Sequence, residues 1–229
     1  MSIVNPVLIL TRNCLELTKR CVESIRSQDI WNSYIAIDNG STDGTKEWLE
    51  YTMPFARFNE NRGVSFGWNY GLNFILSRHP HCLVLNNDVI IPSWFYSELL
   101  SYNEPFVTGV AVENMEQIAQ RPERMPLNPH PDFSAFLIRR EVWEKVGPFD
   151  ERMKLYASDC DYHVRAHQAG IKMYKANVPF YHERSSTLKK ASPEERREIE
   201  EQAHRDREVF KSLYGCLPGE PAYYALFNE

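Results

Sequence analysis

The sequence has no CxxC pair: its five cysteines, Cys14, Cys21, Cys82, Cys160 and Cys216, are odd in number and scattered. They read as reduced, mostly buried thiols acting as small apolar fillers. Nor is there an apolar run near the ~20 residues a membrane helix requires; the longest runs, such as residues 7–10, are far shorter. No basic segment followed by an apolar stretch opens the chain, so a cytoplasmic location is expected. Positive charge is not in excess, with 26 Lys and Arg mixed among 31 Asp and Glu for a net charge of −5. A broad electrostatic footprint for nucleic acid or an anionic membrane is therefore absent, while a phosphate-bearing small molecule stays compatible. The first apolar strand leads into "ILTRNCLEL", which has no glycine. A glycine-rich phosphate loop is missing where a sugar-nucleotide pyrophosphorylase would carry one.

What is present is enough for one large domain, or a domain with a helical extension: 229 residues, 43% hydrophobic and 13% aromatic. Residues 7–10 predict a strand, and Asn13 with Glu16 suggests a capping-box start for a helix whose Cys14, Leu17, Cys21 and Ile25 share one face. Strands are expected at 34–37, 55–58 and 82–85, with helices after each, the last over 92–100 begun by a proline. Beyond residue 101, strands are expected at 106–112 and 133–138 around the proline-rich loop "RPERMPLNPHPD". Short helices follow at 140–146 and 159–169, closed by glycines. "SPEE" offers an N-cap, a proline and a Glu for a long charged helix to Tyr214, with a narrow stripe of Ile199, Ala203, Phe210 and Leu213 and an otherwise solvated face.

Alternating strands and helices predict a mostly parallel sheet covered on both faces. In such sheets ligands bind beyond the carboxyl ends of the strands. Three polar clusters, "DNGSTDG", "ENRG" and "NND", follow three successive strand candidates and should converge on one edge. The last is the most pointed. In "HCLVLNNDVIIPSW", Asn86, Asn87 and Asp88 interrupt an apolar run, and a buried carboxylate is costly unless something pairs with it. Asp38 and Asp43 would lie at the mouth of the sheet, where a carboxylate can accept from a base N–H; a plain turn is the alternative. In "NRGVSFGWNYG" the glycines permit close backbone approach to a ligand, or serve helix packing around Gly67 and Gly71.

Taken together, "LTRNCLELTKRCVESIRSQ", "IDNGSTDGT", "NRGVSFGWNYG", "LNNDV", "FSAFLIRREVWEKVGPFDE", "SDCDYHVRAHQAG" and "VPFYHERSST" resemble, in order and rough spacing, the family-2 glycosyltransferases with a GT-A fold. The resemblance covers roughly residues 4–187 and implies an α/β, Rossmann-like, mostly parallel sheet flanked by helices, here with a C-terminal helical extension. It implies a domain over 1–187, with a nucleotide-sugar half at 1–100 and an acceptor and catalytic half at 101–187, then a helix and tail at 188–229. "NND" is similar to the family's DxD motif, so Asp88 would coordinate a divalent metal bridging the sugar-nucleotide diphosphate, with Asn86 near the ribose and Asn87 beside it. Asn86 stands where the family usually has Asp. Asp38 and Asp43 match nucleotide-binding acids, and Asn61, Gly63 and Asn69 fall in the matching loop and helix. His182 matches a histidine that reaches the metal or diphosphate. Asp159 matches the catalytic base of the family's ED motif, with Ser158 in place of the usual Glu; a helix N-cap is its bland alternative. Asp161 would serve structure or orient Arg165.

The implied activity is inverting transfer of a sugar from a nucleoside diphosphate, UDP by expectation, to the hydroxyl of a glycan, lipid-linked or other acceptor. Mn²⁺ or Mg²⁺ would assist. A non-catalytic carbohydrate- or nucleotide-sugar-binding protein is the rival from another class. Homo-oligomerisation and peripheral membrane contact through the acceptor are compatible with the sequence.

Overall fold

The computed structural model describes residues 4–183 and 191–227. The expected boundary at 187/188 and the "RSST" end of the last motif lie outside these residues. The first half runs β1 (Asn5–Thr11), α1 (Leu15–Arg26), β2 (Asn32–Asn39), α2 (Thr45–Thr52), β3 (Phe55–Phe58), α3 (Val64–Leu76), β4 (His81–Asn86), β5 (Val89–Ile90) and α4 (Phe95–Ser101). The second half adds β6 (Phe106–Val112), a 3-10 turn at Met115–Ile118, β7 (Ala135–Arg139), α5 (Arg140–Val146), α6 (Ser158–Gln168) and β8 (Met173–His182). Two helices follow, α7 (Pro193–Tyr214) and α8 (Pro221–Ala225).

All eight strands form one sheet in the order β3-β2-β1-β4-β7-β6-β8-β5. β7 and β5 run antiparallel to their neighbours and the other pairings are parallel, as the alternating pattern predicted. Successive side chains of a strand face opposite sides. In β1, Val7 and Ile9 join a cluster with Val22, Ile25, Leu49, Phe95 and Tyr96 of α1, α2 and α4. Leu8 and Leu10 face the other way, into a cluster with Trp68, Leu72, Phe136, Val142 and Tyr162 of α3, β7, α5 and α6. Close packing of α3 on β1 explains two glycines, since a Cβ at Gly67 would strike Leu10 and one at Gly71 would strike Leu8.

Several boundaries differ from expectation for local reasons. Asn13 does not cap α1: it and Cys14 are left-handed, at φ 55° and φ 59°, and the helix begins at Leu15. The Asn13 carboxamide instead accepts from the Thr42 amide at 2.8 Å, a tertiary bond that outcompetes the local cap. α4 starts three residues after Pro92, whose carbonyl accepts from the Phe95 amide at 3.0 Å. The capping box of α7 forms as read, with Ser192 and Glu195 exchanging hydrogen bonds. The rest of α7 departs from its expected solvated character. Phe210 packs with Met153, Ala157, Val164 and Tyr223, seating α7 and α8 on α6. Asp206 is fully buried, whereas Leu213 of the expected apolar stripe is exposed. The cysteines are all thiols and four are buried. Among the described residues no helix is long and apolar enough to cross a membrane.

Candidate active site

Parallel register brings the polar strand ends together. Thr11 lies opposite Asp38, and Leu10 opposite Asn86. The loops beyond are then laced by side chains. Asn13 donates its amide to Ser41 Oγ at 2.8 Å. Asp43 accepts from the Leu15 amide at 3.0 Å and from Thr45 Oγ1 at 2.6 Å. Burial works against the Asp43 charge, but these bonds outweigh it and hold the carboxyl below the usual carboxylate range. Asp38 points inward, with no exposed surface; it accepts from the Ser41 amide at 2.9 Å and pairs with the Arg57 guanidinium. Asn39, not anticipated from the sequence, organises the third loop. Its carboxamide donates to Asn61 Oδ1 at 3.1 Å and to the Gly63 carbonyl at 3.0 Å, and accepts from the Arg62 amide at 2.8 Å. Gly63 has φ +92° and backs directly onto Lys154, so both its backbone and its missing Cβ are required.

At the end of β4 the polar interruption has two different explanations. Asn87 turns back into the protein, its Nδ2 within 3.1 Å of Thr11 Oγ1 and 3.0 Å of both the Asn13 carbonyl and Thr18 Oγ1. Asp88 meets His182. Antiparallel pairing of β5 with β8 sets Val89 opposite His182, and the imidazole Nε2 lies 3.3 Å from Asp88 Oδ1. Both side chains keep some exposure, 12% for Asp88 and 15% for His182. An oxygen and a nitrogen donor at that spacing suit neighbouring positions around one divalent ion, which lie about 3 Å apart when bonds are near 2.1 Å. Among the described residues no cluster of three His, Cys, Asp or Glu side chains could hold a metal.

Asp159 lies in the first turn of α6. α6 begins one residue earlier than expected, and the N-cap position is Ala157 at φ 63°. Asp159 is therefore not the cap, and its one hydrogen bond to the main chain of a neighbour is to the Cys160 amide at 2.9 Å. It lines a cavity of about 380 Å³ with Trp68, His130, Asp132, Ser134 and Lys175. Burial pushes the Asp159 carboxyl up, and the nearby Asp132 charge pushes it further. Ser134 joins this cavity to the β4 end that carries Asp88, because its carbonyl accepts from the Asn86 amide at 3.1 Å. Asp161 faces away, nearly fully buried, bonded to Arg165 Nε at 2.8 Å and Tyr214 Oη at 2.7 Å.

Two further cavities open under α7. One of about 450 Å³ is lined by Arg12, Asn13, Asp43, Glu195 and Ile199. The other, about 270 Å³, is lined by Arg12, Asn61, Gly63, Lys154, Gln202 and Arg205. Arg12 borders both, and its Nε is buried without a hydrogen-bond partner among the described residues. The model of glycosyl transferase family 2 matches residues 7–159, most of the chain and nearly all of these strand ends.

The chain belongs to glycosyl transferase family 2. No sequence match is found among curated proteins. Its fold is that of solved glycosyltransferases. A mannosyltransferase from Pyrobaculum calidifontis, PcManGT, in complex with GDP-Man and Mn²⁺, is similar at TM-score 0.63 and 18% identity over 98% of this chain and 68% of that one. S. aureus TarS is similar at TM-score 0.64 and 15% identity over 98% of this chain but 42% of the longer TarS chain. A TarS fragment, residues 1–349, in complex with UDP, matches at TM-score 0.58 and 12% identity, covering 93% of this chain and 72% of that one.

Within this family-2 domain, Asp43, Asn61, Gly63, Asn86, Asp88 and His182 gather around the sheet edge and the loops beside it. Asn69 does not. Its carboxamide is spent on Phe149, accepting from the amide at 2.8 Å and donating to the carbonyl at 2.9 Å, with Glu151 also at 2.9 Å. It braces α3 against the 149–151 segment, with both its oxygen and its nitrogen engaged within the protein. Missed from the sequence were Arg12, Asn39, Asp132 and the α7 residues over the cavities. Arg12 directly follows an apolar strand, a signal that was available; Asp132 was hidden in a loop read only for its prolines.

Proposed function

We propose that this family-2 domain transfers a sugar, with inversion, from a nucleoside diphosphate to an acceptor hydroxyl, using UDP as the nucleotide and a divalent metal. The observation that carries the reading is the Asp88–His182 contact at the sheet edge, joined through Asn86 and Ser134 to the cavity holding Asp159. The neighbours with GDP-Man and Mn²⁺, and with UDP, support a nucleotide-sugar donor and a metal.

In this reading the nucleoside lies against the loops after β1, β2 and β3, where Arg12, Asn13, Asp43, Asn61 and Gly63 line the two cavities under α7. Asp38 keeps a supporting role, since both its oxygens are engaged inside the protein, and base recognition falls to the more exposed groups around it. Asp88 and His182 would hold Mn²⁺ or Mg²⁺, which when bound would supply positive charge to offset the negative charge growing on the departing diphosphate. Asp159 takes the acceptor proton at its carboxylate as the hydroxyl attacks the anomeric carbon from the face opposite the diphosphate, which leaves. Its raised pKa, caused by burial, makes it a better base near neutral pH than an exposed Asp would be. Donor and acceptor held on one rigid sheet supply much of the remaining rate.

Calorimetry with UDP and GDP, each with Mn²⁺ or EDTA, tests the reading. UDP should bind the wild type more tightly in Mn²⁺ than in EDTA, and Asp88→Ala should remove that difference. Equal affinity with and without metal in the wild type would overturn the metal assignment.

A further inference from the structure

We propose that Asp206 of α7 is a positioning residue for the catalytic base, fixing the backbone of residues 154–156 and through it the start of α6. The inference rests on the assignment of Asp159 made above. Asp206 has no exposed surface. One carboxylate oxygen accepts from the Lys154 amide at 3.0 Å and from Gln202 Nε2 at 2.6 Å; the other accepts from the Leu155 amide at 2.8 Å and the Tyr156 amide at 2.9 Å. Three successive amides converge on one anion. Among the described residues no cation pairs with it, and a buried carboxylate so placed is tolerable only with such donors, whose charge-assisted bonds are short and directional.

The segment so held touches both halves of the site. On its donor side, the Lys154 carbonyl accepts from the Val64 amide at 2.6 Å, Ser65 Oγ donates to the Met153 carbonyl at 2.6 Å, and Gly63 abuts Lys154. On its other side, Leu155, Tyr156 and Ala157 line the Asp159 cavity. Ala157 then turns the chain into α6 at φ 63°, a left-handed conformation that an alanine adopts only at a cost. That turn decides the direction in which Asp159, two residues on, leaves the backbone. Asp206 anchors the strained turn from one side, and α6 packing anchors it from the other. Removing the anchor lets Asp159 shift by a fraction of its reach, and a displacement near 1 Å is worth about 10²-fold in rate.

The test uses the full chain and hydrolysis of UDP-glucose, UDP-N-acetylglucosamine or GDP-mannose in Mn²⁺, following nucleotide release. Asp206→Asn keeps the volume but turns an amide N–H₂ toward the Lys154–Tyr156 amides. We expect kcat to fall by about 10²-fold with donor KM little changed. The acid limb of the kcat profile should move to lower pH, because a loosened 154–156 segment lets water reach Asp159. Of the other ionisable groups around Asp159, Asp132, His130 and Lys175 lining its cavity and Cys160 and Tyr223 of α6 and α8 lie outside the segment Asp206 holds, whereas Tyr156, which also lines the cavity, moves with that segment. Phenols ionise far above the acid limb of a carboxylate. Ser192→Ala loosens the start of the same helix without touching the carboxylate or the Ala157 turn and should lower Tm with kcat and acid limb in place. If Asp206→Asn behaves like Ser192→Ala, the role is structural and the proposal is overturned. Should Asp206→Asn fail to fold, Asp206→Glu keeps the charge but sets it one methylene out of register with the three amides. It should show the same kcat-selective loss in smaller measure, and an unchanged kcat there also overturns the proposal. A wild type that releases nucleotide from none of the three donors overturns the functional reading, and this inference with it. A wild type that works, an inactive Asp159→Asn and an unaffected Asp206→Asn overturn this inference alone.

Discussion

Asp159 and Asp161 begin the same helix two residues apart, yet their surroundings assign them opposite work. Asp161 is closed off by Arg165 and Tyr214, while Asp159 lines a cavity and carries a raised pKa. Asp159→Asn should reduce transfer by at least about 10²-fold while leaving UDP affinity intact; transfer near the wild-type rate would place the base elsewhere. The same substitution has a stability signature. A carboxyl whose pKa is raised on folding contributes stability below its unfolded value near 4 and loses it as pH rises through the folded value. Asp159→Asn should therefore melt higher than wild type at pH 7, with the difference closing below about pH 4. Asp43, held below the usual range, has the opposite sign, so its contribution persists at neutral pH and is lost on acidification. The sequence made Asp88 legible because it breaks an apolar run, which demands a partner. It could not separate Asn69 from a ligand-binding residue, since a polar side chain on an apolar helix meets backbone as readily as substrate. Asp206 was lost for a simpler reason: it stands among exposed charges of the same helix.

Among the elements, β3, α5 and α7 match the sequence reading closely, because strong punctuation bounds them: prolines, glycines or a capping box. The β1–α1 loop was misread because two left-handed residues and a tertiary hydrogen bond replace the local cap. Ser192→Ala should cost about 1 kcal/mol through loss of the α7 cap, read as a lower Tm and faster amide exchange over the first turn. Gly71→Ala tests the contact of α3 with β1. A methyl group there has to displace Leu8, so about 1–3 kcal/mol of stability should be lost by overpacking, measured by denaturant unfolding. A neutral or stabilising result, the usual gain of Gly→Ala in an open helix, would mean that α3 sits farther from the sheet.

Over the whole molecule, the expected donor and acceptor halves share one sheet. β4 of the first pairs with β7 of the second, and their residues fill common cores. A fragment of residues 1–100 should accordingly show no cooperative melt by circular dichroism, since β4 would expose one edge and both faces would lose partners. The mostly parallel architecture was legible from alternation alone; the junction was not, because an antiparallel insertion leaves no mark in the periodicity of either strand.

The pairing of β5 with β8 also has a kinetic consequence. Residues 88 and 182 are distant in sequence, and contacts of that kind form late, after intervening segments have collapsed. The two-residue strand β5 cannot hold itself in place and waits for β8, made near the end of the second half, to run alongside it. During synthesis the Asp88–His182 pair thus cannot close until β8 has been made, nearly a hundred residues after Asp88, and the contacts of α7 and α8 follow it. A ribosome-bound chain can order its first sheet strands well before this edge of the sheet is complete, so the site proposed at Asp88 and His182 would form only after β8 has been made.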